Sequence, residues 1–100
     1  MSEVEEQVIE EQEIKVPNLW RVIFHNDDKT TMDFVIFLLV KVFHKSPQEE
    51  YQLTMEIHLE GAAIAGVYTH EVAEIKMNIC VKTARENGHP LNVSIEEEVE

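Results

Sequence analysis

Residues 46–68, SPQEEYQLTMEIHLEGAAIAGVY, contain the most explicit structural signals in this 100-residue chain. Ser46, which precedes a proline, is a typical helix N-cap, and Glu49 completes a capping box three residues later. We expect this helix to end at Gly61, because glycine readily adopts the left-handed conformation that closes helices. Residues 62–68 follow as a short apolar strand, and their small side chains suggest a close approach of another backbone.

A further helix and strand are predicted after this segment. Thr69 can cap a helix over residues 70–87, and Gly88 is placed to end it. The apolar face of this helix carries Val72, Ile75 and Ile79. A last strand is expected over residues 91–95, before an acidic tail.

Two elements are predicted on the N-terminal side. Residues 19–25 are rich in aromatic and β-branched side chains, which is typical of a strand, and residues 26–28 have the composition of a turn. Thr30 or Thr31 can cap the helix that follows, over residues 32–44. This helix is apolar on nearly all sides, so we expect it to be buried on most faces.

The predicted order of elements is β-α-α-β-α-β. Three short strands and three helices favour an α+β fold in which a three-stranded antiparallel sheet packs against the helices. We expect one core domain over residues 17–100, preceded by a flexible acidic extension at residues 1–16.

The charge is concentrated at the two ends of the chain. The formal net charge is −12, but residues 1–13 carry six Glu and residues 96–100 carry four, so the rest of the chain is nearly neutral. An acidic surface disfavours nucleic-acid and anionic-membrane partners. The single cysteine forms no internal disulfide and, with no targeting segment apparent, we expect a cytoplasmic protein.

An unusual polar cluster, His25-Asn26-Asp27-Asp28, lies at the end of the first predicted strand. It is either a solvated turn that caps the next helix or an anionic site for a cation. The cation could be an ammonium group, or a metal ion bound with the help of His58 in a small metal-binding or hydrolytic protein. The spacing matches no standard metal motif.

Evidence for an enzyme is thin elsewhere in the sequence. The chain has no glycine-rich phosphate loop, and Cys80 lies on a mostly apolar stretch of the third predicted helix, which favours a buried thiol over a nucleophile. We expect a binding protein with no catalytic residues, no bound metal and no cofactor, and a metal-binding or hydrolytic protein is the alternative interpretation.

Several separated motifs, in the same order, resemble the ClpS family of protease adaptors. They are Asn26-Asp27-Asp28, Thr30, Met32, Phe34-Val35, Gly61, Gly66-Val67-Tyr68-Thr69, Glu71-Val72-Ala73-Glu74 and the run from Ala84 to Leu91. The resemblance spans residues 20–95. It implies an adaptor, with no chemistry of its own, that binds proteins with an unblocked N-terminal Phe, Tyr, Trp or Leu. It would deliver these N-degron proteins to a Clp unfoldase, ClpA or a relative, coupled to ClpP.

The resemblance also implies roles for individual residues. Asn26 and His58 would hydrogen-bond the α-amino group, Asp27 would bind the same ammonium and the first peptide N–H, and Asp28 would add negative charge. Met32 would act as a gate that excludes β-branched side chains. The apolar pocket would be lined by Thr30, Met32, Val35, Ile57 and Leu91.

The implied partner surface contains Glu71 and Lys76, which match the family's docking surface for the N-terminal domain of the unfoldase. We expect the adaptor to be a monomer. Three residues depart from the family pattern: Lys29 replaces a common aromatic residue, Thr31 a proline and Ala62 a lysine. A third interpretation, a ribosome-associated module, remains open because the α+β layer also resembles a domain of the ribosomal stalk protein.

Overall fold

The computed structural model describes residues 18–99. Its elements are β1 (Trp20–His25), α1 (Met32–Lys41), α2 (Pro47–Glu60), β2 (Ala62–Tyr68), α3 (His70–Glu86) and β3 (Asn92–Glu97). The predicted α+β class and the order β-α-α-β-α-β are confirmed. The predicted acidic extension at residues 1–16 lies outside the described residues.

The sheet places β1 in the centre, antiparallel to β2 on one side and to β3 on the other. His25, the last residue of β1, pairs with Ala62 at the start of β2 and with Asn92 at the start of β3. The loop that follows β1 therefore emerges between the loops that precede β2 and β3, and three segments distant in sequence meet at this edge.

The helices cover one face of the sheet. Val22 and Phe24 of β1 point into the core and are fully buried, and the Phe24 ring meets the Phe43 ring edge-on, with 5.5 Å between the centroids. Leu38 and Leu39 bring α1 onto the same core. Burial of apolar side chains of this size stabilises the fold by roughly 1.5–3 kcal/mol each.

Capping residues mark the start of α1 and both ends of α2. Ser46 and Glu49 form the reciprocal capping box of α2, and Gly61 ends that helix with a φ of 89°. Thr31, rather than Thr30, caps α1 by accepting a hydrogen bond from the Phe34 amide. Thr30 is thereby left free for another role.

Two predicted boundaries differ from the structure by two residues or more. α1 ends at Lys41 rather than at residue 44, because His44 adopts a left-handed φ of 54° that a helix does not accommodate. β3 extends through Glu97 into the predicted acidic tail, and Glu98 lies 3.5 Å from the Arg21 side chain. Pairing with β1 continues the strand further than the sequence pattern indicates.

The apolar face predicted for α3 is the exposed one. Val72, Ile75 and Ile79 are 40%, 51% and 46% exposed. The helix packs on the core through its small residues, which are Ala73, Cys80 and Ala84. As predicted, the Cys80 thiol is buried, and burial raises its pKa to about 12.

Within residues 18–99, none of the three helices combines the length and apolar character that crossing a bilayer requires.

Candidate functional site

A pocket opens at the sheet edge where the three loops meet. The pocket is narrow: it has room for about 30 Å³, and the figure rises to about 260 Å³ only when all the empty space at its open mouth is counted. Its walls are formed by His25, Asn26, Asp27, Thr30, Met32, Val35, Ile57 and Leu91. These residues come from the end of β1, the β1–α1 loop, the first turn of α1, the last turn of α2 and the loop before β3.

The interior of the pocket is apolar. Val35, Ile57 and Leu91 are nearly inaccessible, with 4%, 3% and 1% of their surface exposed. Met32, at the start of α1, is 40% exposed and adds a flexible thioether to the wall. The pocket therefore offers an aliphatic interior with one adaptable residue.

The polar side of the pocket is organised by Asp27. Its Oδ1 accepts hydrogen bonds from the backbone amides of Lys29, at 2.8 Å, and of Thr30, at 2.6 Å. A short carboxylate that accepts two amides of its own loop holds that loop in one conformation. The Asp27 side chain is thus held in place through Oδ1, one of its two carboxylate oxygens.

The other carboxylate oxygen, Oδ2 of Asp27, is buried and has no hydrogen-bond partner among residues 18–99. The hydroxyl of Thr30 is buried and unpartnered in the same way. Leaving a buried acceptor without a donor costs about 1–3 kcal/mol, and more for a charged group. A ligand that donates N–H groups here would remove that cost.

The charge state of Asp27 suits such a ligand. Burial works to raise the pKa of the Asp27 carboxyl, but the Thr30 and Lys29 amides, the neighbouring His89 and the Thr30 hydroxyl, which lies near the carboxyl without meeting hydrogen-bond geometry, together hold it below its ordinary value. Asp27 is therefore a carboxylate at neutral pH. An ionised, partly desolvated acceptor favours a cationic donor.

One backbone and one side-chain hydrogen bond join the end of β1 and the β1–α1 loop to the rest of the site. The backbone N–H of Asn26 donates a hydrogen bond of 2.9 Å to the carbonyl oxygen of Gly61, the residue that follows α2. The imidazole Nε2 of His25 lies 2.7 Å from the Ser94 hydroxyl on β3. These two bonds fix the loop against both neighbouring segments.

The loop before β3 is held by Arg85, whose importance the sequence analysis missed. Its Nη1 donates to the carbonyl oxygens of His89, at 3.0 Å, and of Leu91, at 2.9 Å. The His89 ring in turn packs on Phe34, with 4.3 Å between ring centroids. An arginine in the last turn of a helix commonly binds nearby carbonyls, so the position of Arg85 near the end of the predicted helix could have indicated this role.

Seven of the nine predicted substrate-binding residues line this one pocket: Asn26, Asp27, Thr30, Met32, Val35, Ile57 and Leu91. The other two, Asp28 and His58, are exposed and do not line it. His58 lies in the last turn of α2, next to Ile57. His25 contributes to the wall without having been predicted as a substrate contact. The binding roles of all these residues stay predictions.

The metal hypothesis requires a cluster that the described residues do not form. Among residues 18–99, no three His, Cys, Asp or Glu side chains lie together in an arrangement that could hold an ion. The His25 ring is within hydrogen-bonding distance of Ser94, as described above. The geometry therefore does not support a metal-binding or hydrolytic site built on His25, Asp27, Asp28 and His58.

The two predicted docking residues lie on α3 in different environments. Glu71 is exposed in the first turn. Lys76 is half-buried, and its ammonium donates to the Val42 carbonyl oxygen at 2.7 Å and lies 5.5 Å from the Phe43 ring centroid and 5.1 Å from that of Tyr68. Lys76 thus has a structural role that the sequence did not reveal, and its docking role stays a prediction.

Comparison with known proteins assigns the family. A family model described as ATP-dependent Clp protease adaptor protein ClpS matches residues 15–94. The ClpS adapter protein of Clostridium acetobutylicum is 41% identical over 93 residues, which cover 93% of this chain and 92% of the relative. That of Myxococcus xanthus is 44% identical over 87 residues, covering 87% and 81%.

A solved structure agrees with these sequence relatives. Agrobacterium tumefaciens ClpS2 bound to L-phenylalaninamide matches with a TM-score of 0.79 and 32% identity, over 83% of this chain and all of that one. The ribosomal interpretation rested on fold alone, whereas family model, relatives and solved structure agree on one group. The chain belongs to the ClpS family of ATP-dependent Clp protease adaptor proteins.

Proposed function

We propose that this protein is an adaptor that binds N-degron proteins through an unblocked first residue that is Phe, Tyr, Trp or Leu, and delivers them to a Clp unfoldase–peptidase. The unfoldase would be ClpA or a relative, coupled to ClpP. The observation that carries the proposal is the unpartnered Oδ2 of Asp27, a buried carboxylate oxygen on the wall of an otherwise apolar pocket.

The polar half of the site fits an α-ammonium group. An ammonium has three N–H donors and a full positive charge, so it can satisfy the Asp27 Oδ2 and further acceptors at once. The amide oxygen of Asn26 is one such acceptor on the wall. In the proposal, His58 adds a neutral imidazole nitrogen from the last turn of α2, and Asp28 contributes negative charge from the solvent side.

In the proposal, the apolar half of the site receives one large side chain, and the pocket widens beyond its present room of about 30 Å³ to do so. Phe, Tyr and Trp bury roughly 150–250 Å² each when enclosed, which supplies much of the binding free energy. Val35, Ile57 and Leu91 form the buried walls for that side chain. Met32 closes the wall and selects by shape, because β-branched side chains place their bulk next to the backbone, where space is most limited.

The solved relative supports this assignment. Agrobacterium tumefaciens ClpS2 binds L-phenylalaninamide, a molecule that carries a free α-amino group and a benzyl side chain. A ligand of that kind presents both features that the pocket of this protein matches, an ammonium for Asp27 and an aromatic ring for the aliphatic walls.

The adaptor role requires no chemistry of its own. The Cys80 thiol is buried with a pKa of about 12, so it is unavailable as a nucleophile at neutral pH. Delivery would depend on a second surface that contacts the unfoldase. Glu71 on α3 is exposed, and we assign it to that surface.

The decisive experiment compares free and blocked N-termini. A fluorescent peptide that begins with Phe should bind, as measured by anisotropy, whereas the same peptide with an acetylated amino group should not. Acetylation removes the charge and leaves the Asp27 carboxylate unpaired in the complex. A peptide that begins with Val serves as the control for side-chain shape. Equal binding of the free and acetylated Phe peptides would contradict the proposal.

A further inference from the structure

A second depression lies beside the pocket and has the opposite electrostatic character. Its walls are Lys29, Arg85, Gly88, His89 and Pro90, and it is wide open to solvent, with room of about 370 Å³. Two of these side chains are permanently cationic at neutral pH, and an imidazole is the third basic group. The depression is therefore a local basic site on a chain whose formal net charge is −12.

The two cations are not neutralised by the protein around them. Lys29 and Arg85 are exposed, and no carboxylate among residues 18–99 forms an ion pair with either one. The carboxylates nearest in sequence are Asp28, beside Lys29, and Glu86, beside Arg85, and both are exposed. Neither of them, nor the ionised Asp27, lines the depression, so the charged side chains on its wall are the two cations.

Arg85 is held in a position suited to binding an anion. Its Nη1 donates to the carbonyls of His89 and Leu91, which orients the planar guanidinium. The donors on Nε and Nη2 are not engaged by the described residues and remain for a ligand. A pre-positioned guanidinium loses less conformational entropy when it binds a carboxylate than a free one does.

The depression and the pocket share the same two loops. Lys29 stands between Asp27 and Thr30, both of which line the pocket, and His89 and Pro90 immediately precede Leu91. Consecutive Cα atoms are about 3.8 Å apart, and an extended peptide advances about 3.3–3.6 Å per residue. Because consecutive residues bound the two cavities, we assign the side chains that follow the first one to the depression.

We propose that Lys29 and Arg85 form a subsite for the carboxylate of an Asp or Glu at the second or third residue of the bound N-terminus. The inference rests on the proposed function, because it assumes that a free N-terminus occupies the neighbouring pocket. It adds a charge preference to a site whose primary selection is for a bulky apolar first residue.

The test uses peptides matched in size and differing in one charge. Fluorescent peptides beginning Phe-Glu-Ser and Phe-Ser-Glu are compared with Phe-Gln-Ser and Phe-Ser-Gln, with the full-length protein. We expect at least one Glu peptide to bind about three- to tenfold more tightly than its Gln partner, as one or two exposed ion pairs allow. The preference should shrink in about 1 M salt, where the screening length falls to about 3 Å.

Two variants of equal charge change identify the residue responsible. Lys29→Gln keeps the backbone amide that binds Asp27, so the pocket loop is preserved, and it should reduce the Glu preference, measured as the ratio of the affinities for the Glu and Gln peptides. Lys82→Gln, at an exposed position on α3 that lines neither cavity, should leave the preference intact.

The outcomes separate this inference from the proposed function. Equal binding of Glu and Gln peptides, or an equal loss of preference in both variants, would overturn the subsite while the Phe-dependent binding stands. Failure of every free Phe peptide to bind better than its acetylated form would instead overturn the proposed function, and the subsite with it.

Discussion

The backbone amide of Thr30 donates a hydrogen bond of 2.6 Å to Oδ1 of Asp27, whereas the second carboxylate oxygen, Oδ2, has no partner among residues 18–99. One side chain therefore has two separable tasks. Oδ1 shapes the loop, and Oδ2 is available to a ligand.

The first prediction separates these tasks with two substitutions of Asp27. Asp27→Asn keeps an oxygen for the amides of Lys29 and Thr30 but removes the charge, so stability should change little. Affinity for a Phe peptide should fall about tenfold or more, because a hydrogen bond to a charged group contributes about 1.5–3 kcal/mol. Asp27→Ala should lose affinity and also about 1 kcal/mol of stability, since the loop amides lose their acceptor.

Peptide anisotropy and chemical denaturation measure the two effects. If Asp27→Asn bound the Phe peptide as tightly as the unmodified protein, the carboxylate would have no role in recognising the ammonium.

The second prediction concerns pH. The pKa of Asp27 is lowered in the folded protein from its ordinary value of 3.8. A lowered folded pKa contributes stability that is fully present above the ordinary value and is lost as the pH falls through the folded pKa. Below about pH 4 the unmodified protein should therefore lose stability faster than Asp27→Asn, which has no titrating group at this position.

Denaturation curves recorded between pH 6 and pH 3 for both proteins measure this difference, and the comparison cancels the other carboxyl groups. A constant difference in unfolding free energy across that range would show that Asp27 does not titrate with a lowered pKa.

Much of the fold could be predicted from the sequence because its signals are local. The capping box at Ser46 and the left-handed Gly61 each act within a few residues, and both occur as expected. The buried face of α3 could not be predicted in the same way. Ala73 and Cys80 face the core because small side chains allow close packing, and helical periodicity alone does not reveal which face the sheet will cover.

A small residue is needed at position 66, but for a different reason from the one that the sequence suggested. The small size of Gly66 suggested a close backbone approach, but a side chain added there would collide with the aromatic ring of Tyr68. The long-range contacts of the site were equally hidden, since the bond between Lys76 and Val42 joins residues that are 34 positions apart. Composition and spacing carry no information about such bonds.

The third prediction tests Met32 as a shape gate. Met32→Ala should enlarge the pocket at its wall and allow peptides that begin with Val or Ile to bind within a few-fold of Phe peptides. Stability should change by less than about 0.5 kcal/mol, because the side chain is 40% exposed. Competition against a labelled Phe peptide measures the ranking.

Met55→Ala is the matched control, because Met55 is 36% exposed on α2 and does not line the pocket. It should leave the ranking of first residues unchanged. A Met32→Ala protein that still rejected Val and Ile would assign the exclusion of β-branched residues to the buried walls instead.

The fourth prediction distinguishes docking from folding on α3. The Lys76 ammonium donates to the Val42 carbonyl and lies over the rings of Phe43 and Tyr68. Lys76→Met should therefore lower the free energy of unfolding by about 1–2 kcal/mol, because it removes both a charge-assisted hydrogen bond and a cation–π contact. Glu71→Gln, at an exposed position, should leave stability within about 0.5 kcal/mol of the unmodified protein.

Binding to the isolated N-terminal domain of ClpA, measured by calorimetry beside the unfolding transition, decides between the roles. If α3 is the docking surface, Glu71→Gln weakens the complex with no change in stability, which a purely structural effect cannot produce. Lys76→Met then loses both properties, and its loss of binding counts toward docking only at temperatures where the variant is fully folded. Undiminished binding by the Glu71→Gln protein would remove Glu71 from the interface and leave Lys76 with its structural role alone.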